Sequence, residues 1–372
     1  MLSAQTNFDY TPEATTRICY GKGRLADLPD ILRSLNCSRP LLVTSRSIKK
    51  SGLVDRIEKI LGENRSASFD VTQPHSPIEW VRKTFDLFIA VGADSVISLG
   101  GGSSVDTGKG VVHLHLEEKR RVIPHIAVPT TLSGAEFTQD AGITYGTRKK
   151  VHHGPHLMAT VALLDPEAAL VTPPSLLLPS GMNALHHCIE GVCSIKANGI
   201  SDALFLRAIR LLSSSLPEIR RAPENIDLRG QAQVGAVLAA LAIGEVPMGL
   251  GHAFAHAICG KYKTPHAQTH ALLIAPVMEF NQDAVLAAQA AIGEALGASP
   301  DQKPEEMAKE GIRRVRQLLQ VLGLPKNLPE LEIGEADETL VENVMGDPYF
   351  RTNPKMADRE DILEVIRRIS QP

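Results

Sequence analysis

At 372 residues, 43% hydrophobic and 22% charged, the chain exceeds what one hydrophobic core usually serves, so two domains are expected. Its 39 Lys and Arg against 42 Asp and Glu leave a net charge of −3, which gives no electrostatic case for nucleic acid or an anionic membrane; the expected partners are small molecules. The five cysteines (Cys19, Cys37, Cys188, Cys193, Cys259) are odd in number and lack a CxxC pair, which argues against a disulfide framework and a thiolate zinc site and fits a reducing cytoplasm.

In chain order, the opening MLSAQTNFDYTPEATTR is extended and turn-rich, without the basic-then-apolar pattern of a signal peptide. Leu25 to Leu35 has helical spacing, RPLLVTSRSI reads as a short buried strand ending near Thr44, and Val54 to Leu61 and Trp80 to Gly92 are predicted helices. Ser95 to Leu99 and His125 to Val128 are compact apolar strands. Alternation of short β-rich runs with helices predicts parallel β/α units, so residues 1–168 are expected to form an open α/β sheet domain. After Pro173 and Pro174 almost everything from Ser180 on reads as helix: Asp202 to Leu216, Leu228 to Ile243, His252 to Ala257, Ala271 to Phe280, Ala284 to Ala298, Pro304 to Leu322 and Asp358 to Ile369. Residues 169–372 are therefore expected to be an all-α domain. Its most apolar window, Val234 to Ile243, is too short to span a bilayer and reads as a buried helix.

Three stretches of the first half invite a ligand. GGGSSVDTGKG stands between a strand and a helix, where Gly101 and Gly102 let the backbone approach a phosphate, free N–H groups favour the anion, and Ser103 adds a hydroxyl. It matches neither GxGxxG nor a P-loop, and a tight turn with a well-capped helix explains it equally. In HIAVPTTLSGAEFT the hydroxyls of Thr130, Thr131 and Ser133 can hydrogen-bond a nucleotide, although Ser/Thr-rich turns are common. The loop GTRKKVHHGPH packs Arg148, Lys149, Lys150, His152, His153 and His156 together; solvated surface is the favoured reading, with contact to an acidic substrate as the other.

The second half holds three histidine clusters. In SGMNALHHCIE, Asn183, His187 and Glu190 fall at i, i+4 and i+7 and share one helix face. GLGHAFAHAICG carries His252 and His256 one turn apart, and TPHAQTHA carries His266 and His270. His187, His252 and His266 can thus meet in one pocket, suited to a divalent metal or to proton transfer. A lone helical His is usually an ordinary core or surface residue; the density of these clusters argues for chemistry.

These residues carry a family resemblance. GGGSSVDTGKG, with Asp106, resembles the GGGSxxDxxK loop of the iron-containing alcohol dehydrogenase family, whose wider fold group includes dehydroquinate synthase and glycerol dehydrogenase. PTT followed by SGAE, the helix with His187 and Glu190, the HAxxH helix, PHAxxHA and the late TNPK resemble further motifs of that family in the same order, over nearly the whole chain. The resemblance implies NAD(P)-dependent oxidoreductase activity on a CH–OH/C=O or C=C group. In metal-dependent members the ligands are an Asp and three His, which fall here on Asn183, His187, His252 and His266. An amide is neutral and a poorer ligand for Fe²⁺ or Zn²⁺ than a carboxylate, so no metal is favoured. SGMNAL with PHAxTHA resembles the maleylacetate reductase branch, although Leu132 to Glu136 departs from that branch's usual Tyr-Ala-Gly-Ser-Glu.

The implied reaction is reduction of a keto acid, with a dicarboxylate as the substrate of that branch, by NADH or NADPH. His252 is the expected proton donor, as an imidazolium, with His266 as electrophilic partner, His256 relaying, His187 beside them and Asn183 donating to the developing oxyanion. After the second strand stand Ser45 and Arg46, where many relatives carry an Asp that repels a 2′-phosphate, so both cofactors are expected to be usable. Relatives are often dimers, and a cytoplasmic homodimer is expected. The alternatives are a metal-dependent (Fe/Zn) alcohol or aldehyde dehydrogenase using His187, His252 and His266, a lyase of the dehydroquinate synthase type, and a non-catalytic nucleotide-binding protein.

Overall fold

The computed structural model describes residues 16–63, 67–146, 148–334 and 338–371. The expected extended start up to Thr15, Thr147 of the basic loop, and the side chain of Lys149 lie outside the described residues. The chain divides into two compact units, Ala14–Pro173 with Glu224–Gln233, and Pro174–Pro223 with Val234–Pro372.

The first unit alternates strand and helix. β1 (Arg17–Tyr20) leads through a 3-10 turn (Arg24–Asp27) into α1 (Leu28–Ser34), followed by β2 (Pro40–Val43), α2 (Arg46–Lys50), α3 (Leu53–Leu61), β3 (Ala67–Phe69) and α4 (Ile78–Ala90). Next come β4 (Ser95–Gly100), α5 (Gly102–Lys119), β5 (His125–Pro129), β6 (Asp140–Tyr145), β7 (Arg148–His153), β8 (Val161–Leu164) and α6 (Pro166–Ala169). Six strands form one sheet in the order β1-β8-β5-β4-β2-β3, every neighbouring pair parallel. β2, β4, β5 and β8 are buried along their whole length, as strands covered on both faces must be, and their sequences are accordingly near-continuous apolar runs. α5 lies close on β4 and β5: a Cβ at Gly108 would collide with the hydroxyl of Ser98 and approach His125 Nε2 to 2.9 Å.

Two parts of this unit differ from the sequence reading. β1, at the edge of the sheet, and β8 beside it are four residues each and are not among the expected strands. The basic run read as a loop is largely β7, paired antiparallel with β6 through a turn at Gly146. Arg148 and Lys150 stay solvated, because the hairpin is held by the other strand, whose Ala141 and Ile143 are buried.

The second unit is helical: α7 (Pro174–Val192), α8 (Gly199–Arg221), the latter part of α9 (Ile226–Ile243), α10 (Leu250–Tyr262), α11 (His266–Asn281), α12 (Leu286–Ala295), α13 (Pro304–Leu322), α14 (Glu338–Gly346) and α15 (Arg359–Ser370). α7 starts at Pro174, before the expected Ser180, with Pro179 inside it. The missing N–H costs a single early bond, and burial of Leu177 and Leu178 holds the first turn. α8 starts on a reciprocal cap, Asn198 Oδ1 accepting from the N–H groups of Ile200 and Ser201 while Ser201 Oγ accepts from Asn198 N–H. α9 is the one described helix long and apolar enough to cross a membrane, by length and composition, and half of it is buried inside the protein. It carries the fully buried Arg229, whose guanidinium donates to the carbonyls of Ala169 and Thr172.

Candidate active site

The α/β unit gathers the residues expected to hold a dinucleotide at one place. β2 pairs with β3 on one side and β4 on the other, so the direction of winding reverses between β2 and β4, the position where ligands of such sheets bind beyond the strand ends. Ser45 and Arg46 follow β2 and start α2; Gly101 and Gly102 follow β4 and start α5. The two ends are tied by Thr44 Oγ1, which donates to the Leu99 carbonyl at 2.8 Å. Gly100 has φ +138°, and a Cβ there would press on Ser104 Oγ, so the turn requires glycine. A Cβ on Gly101 would stand 3.0 Å from Thr131 Cγ2, and one on Gly102 3.5 Å from Ser133 Oγ. These glycines therefore keep side chains out of the space in front of the α5 N-terminus, whose free N–H groups favour an anion.

The remaining predicted cofactor residues divide by role. Thr131 and Ser133 flank that space, and Arg46 is exposed. Thr130 is buried and accepts a hydrogen bond from Thr172 Oγ1 at 2.9 Å, and its N–H donates to the Gly100 carbonyl, so it positions the turn. Ser103 Oγ accepts from the N–H of His75, its carbonyl accepts from Ser76 and Thr107, and Asp106 is half-buried on α5. Lys109 of the same stretch is turned inward, its ammonium donating to the carbonyls of Thr138 and Asp140 and to the Thr138 hydroxyl. Burial lowers it to about 8.

The helical unit brings the histidines together around a carboxylate. Glu190 of α7 meets the first turn of α10: Oε1 accepts from Gly251 N–H at 2.7 Å, and Oε2 from those of Gly249 and His252. The remaining N–H of this turn, on Leu250, donates to Asn353 Oδ1 at 3.1 Å. A helix start that would otherwise be buried with orphan donors is thus satisfied, with a negative charge at the positive end of its dipole. Gly249 and Gly251 allow this approach, since a Cβ on Gly251 would collide with the His186 ring.

Glu190 Oε2 also accepts the Nδ1–H of His252. That bond fixes the ring and leaves its other nitrogen, Nε2, without a protein partner. His252 is the centre of a ring cluster. Its ring centroid lies 4.9 Å from His187 in a stacked pair, 4.5 Å from His270, 5.0 Å from His186 and 6.4 Å from His256. His186 Nδ1 and His270 Nδ1 hydrogen-bond at 2.9 Å, and the Nε2 atoms of both have no partner. His266 is exposed; its ring meets His270 at 4.3 Å and stacks on His256 at 6.3 Å. His256, 43% exposed, pairs with Asp347 at 2.9 Å. Asn183 is buried with Oδ1 unpartnered.

The three imidazoles that come nearest to a metal cage are His186, His252 and His270, whose ligand atoms lie within 4.8 Å of one another. Two of them, His186 and His270, are not in the set His187, His252 and His266 that the resemblance assigns. His186 stands next to His187 in a His-His pair, and His270 is one turn after His266, so both were visible as residues without a signal for direction. Burial, reinforced by the neighbouring rings, holds His187, His252 and His270 well below the usual imidazole range, and lowers His186 to about 3. Burial and the neighbouring His256 and His266 rings thus work against the imidazolium expected at His252.

A tetrahedral ion asks for donors of this kind, and three imidazoles can hold zinc. The set is nonetheless neutral: Glu190 is committed to α10 and His252, and Asn183 offers an amide oxygen.

Two family models match the chain, iron-containing alcohol dehydrogenase over residues 15–166 and the C-terminal part of the Fe-containing alcohol dehydrogenase family over 178–370. The chain is similar to maleylacetate reductase of Pseudomonas sp. (strain P51), 30% identical over 364 residues and covering 97% of each chain. It is 29% identical to alcohol dehydrogenase 4 of Saccharomyces cerevisiae (strain S288c), covering 94% of this chain and 95% of the other. Among solved structures it is similar to maleylacetate reductase from Agrobacterium tumefaciens, with a TM-score of 0.87 and 28% identity over 98% of this chain and 99% of that one. The chain belongs to the iron-containing alcohol dehydrogenase family and is an NAD(P)-dependent oxidoreductase.

Proposed function

We propose that the chain reduces a keto acid with NADH or NADPH, in the manner its likeness to maleylacetate reductases suggests, and does so without the family's metal. The observation that carries this reading is Asn183, a buried amide with an unpartnered Oδ1 where the resemblance puts the metal-binding carboxylate. Bound NAD(P)H supplies the hydride. The α/β unit holds the pyrophosphate at Gly101 and Gly102, and Arg46 takes a 2′-phosphate.

In the helical unit, Glu190 keeps the His252 proton on Nδ1 and directs Nε2 into the cluster. The His186–His270 bond has a related consequence: in the neutral pair one ring donates Nδ1–H, so the other carries its proton on Nε2. The cluster thus contains both an imidazole lone pair and an N–H. As negative charge grows on the substrate oxygen, Asn183 donates its amide N–H, and His252 Nε2, having first taken up a proton from the exposed His256 and become a transient imidazolium, gives that proton to the oxygen and returns to the neutral ring. His266 and His187 border this path. A cytoplasmic homodimer rests on the family resemblance, and sedimentation of the purified chain tests the assembly.

The decisive experiment follows NAD(P)H oxidation across keto acids, aldehydes and alcohols, with and without chelator. A keto-dicarboxylate is expected to be the best substrate, with turnover insensitive to chelator. Neutral aldehydes or alcohols outperforming every keto acid would refute the assignment.

A second reading, a metal-dependent alcohol or aldehyde dehydrogenase, is favoured by the proximity of His186, His252 and His270 and their unpartnered Nε2 atoms. Those rings would hold Zn²⁺ or Fe²⁺, which would act as a Lewis acid on the substrate oxygen. Stoichiometric metal with chelator-sensitive turnover distinguishes it.

A further inference from the structure

The α/β unit contains a second histidine cluster, which the proposed reaction does not use. His113 on α5 contacts His156 in the 3-10 turn Pro155–Leu157, Nδ1 to Nε2 at 3.0 Å, their rings stacked at 5.3 Å. The ring of His152 on β7 lies 4.5 Å from that of His113. The sequence run that contributes His152 and His156 looks like solvated surface, yet the fold directs these two rings onto one face of α5 with His113.

The arrangement is built. The ring of His156 folds back over Gly154, which has φ +158°, and a Cβ at that position would stand 2.7 Å from His156 Cε1. Outer partners hold the far nitrogens of the other two rings. Glu117, one turn after His113, lies 3.4 Å from His113 Nε2, and the Tyr145 hydroxyl lies 3.1 Å from His152 Nε2. His113 is thereby left with Nδ1 as the atom to offer, beside Nε2 of His156. A carboxylate or hydroxyl on the far nitrogen is how ligating histidines are oriented. The 3.0 Å between His113 and His156 is close to the roughly 3.3 Å that separates two ligand atoms on a tetrahedral zinc with Zn–N near 2.0–2.1 Å. All three rings are partly exposed, and Glu117 beside His113 is 59% exposed.

We propose that His113, His152 and His156 form a second, surface cation site for a borderline divalent ion of the zinc type, with Glu117 orienting His113. Entry of the ion replaces the His113–His156 hydrogen bond, and His152 leaves the Tyr145 hydroxyl and turns about its side-chain bonds to complete the set. The ion staples α5 to the β6–β7 hairpin and the turn after it. The proposal is independent of what the helical unit binds.

Zn²⁺ binding to the full chain by equilibrium dialysis, paired with a diethyl pyrocarbonate footprint read by mass spectrometry, tests it. In the wild type, Zn²⁺ is expected to protect His113, His152 and His156 from modification. H113Q/H156Q is expected to lose one equivalent of bound Zn²⁺ with NAD(P)H-dependent turnover unchanged. E117Q is expected to weaken binding by about 10–100-fold. If the double variant does not fold, H152Q with the wild-type footprint decides the question. Equal Zn²⁺ stoichiometry in wild type and folded variants, or protection confined to His186, His252 and His270, overturns the proposal.

Discussion

Replacing Glu190 with Gln tests the central arrangement most directly, because size is kept and only charge and one acceptor are lost. In the wild type the carboxylate accepts from three backbone N–H groups at the start of α10 and from His252 Nδ1–H. A Gln side chain can keep its oxygen on Gly251 N–H but must turn its NH₂ towards the other donors. Charge-assisted bonds of this kind are worth about 1.5–3 kcal/mol each, and breaking a buried charged contact costs about 3–5 kcal/mol, so about 3–5 kcal/mol of stability is at stake. For a unit of this size that is a fall in Tm of roughly 6–20 °C. Catalysis suffers separately: the amide donates to Nδ1, the His252 proton moves to Nε2, and kcat/KM for keto acid reduction falls by about 10²–10⁴. Asn353→Ala is the control, since it removes the cap on Leu250 but leaves the Glu190–His252 bond in place. It should lower Tm with a much smaller effect on kcat/KM. Thermal unfolding and steady-state kinetics on both variants give the answer; a Glu190→Gln enzyme within about 2 °C and threefold of wild type would refute the reasoning.

Asn183→Asp restores a carboxylate beside the imidazoles and should raise bound Zn²⁺ towards one equivalent by elemental analysis while lowering keto acid turnover; unchanged metal content would count against the role given to the amide. Arg46→Ala should lower kcat/KM with NADPH by about 10–150-fold, the equivalent of one charge-assisted bond, and leave NADH within about threefold. Glu136, buried with Oε2 unpartnered, has its carboxyl pushed up to about 7 by burial, against the opposing effects of a backbone N–H and Lys109. Its folded value lies above its ordinary 4.5, so the associated stability is present below about pH 4.5 and is lost as pH rises through 7. Glu136→Gln should therefore be more stable than wild type at pH 8, by up to about 3 kcal/mol, and equal to it near pH 4, as measured by denaturant unfolding.

Much of the fold could be read locally because the parallel strands announce themselves. PLLV, SVISLG and HIAVP are buried on both faces and so are apolar without alternation, and the glycines at 100–102 mark where β4 must turn into α5. The β6–β7 hairpin escaped that reading for a physical reason. β7 presents exposed charges, and the burial that holds it in place belongs to Ala141 and Ile143 on its partner. β1 is a strand because it pairs with β8, a fact of topology with little local trace in its mostly exposed RICY, whereas VALL of β8 is an apolar run like the other buried strands.

The site divides along the same line. Residue types and helical spacing were enough to name Asn183, His187, His252, His256 and His266, since i and i+4 fix which side chains share a face. What the spacing could not supply is which nitrogen faces what. That depends on Glu190 reaching 62 residues to His252, on Asn353 reaching 103 to Leu250, and on His186 meeting His270 across 84. Each of these bonds forms because a buried donor needs an acceptor, and together they decide the chemistry. By occupying Nδ1 of His252 and pairing His186 with His270, they leave three Nε2 atoms without a hydrogen-bond partner in a desolvated cluster where burial disfavours charged imidazole. Such a cluster can serve a cation or a proton, and the difference between the two rests on the charge of the residue at position 183. A carboxylate there would offset part of an ion's desolvation; the amide does not, and it brings a donor that suits an oxyanion instead.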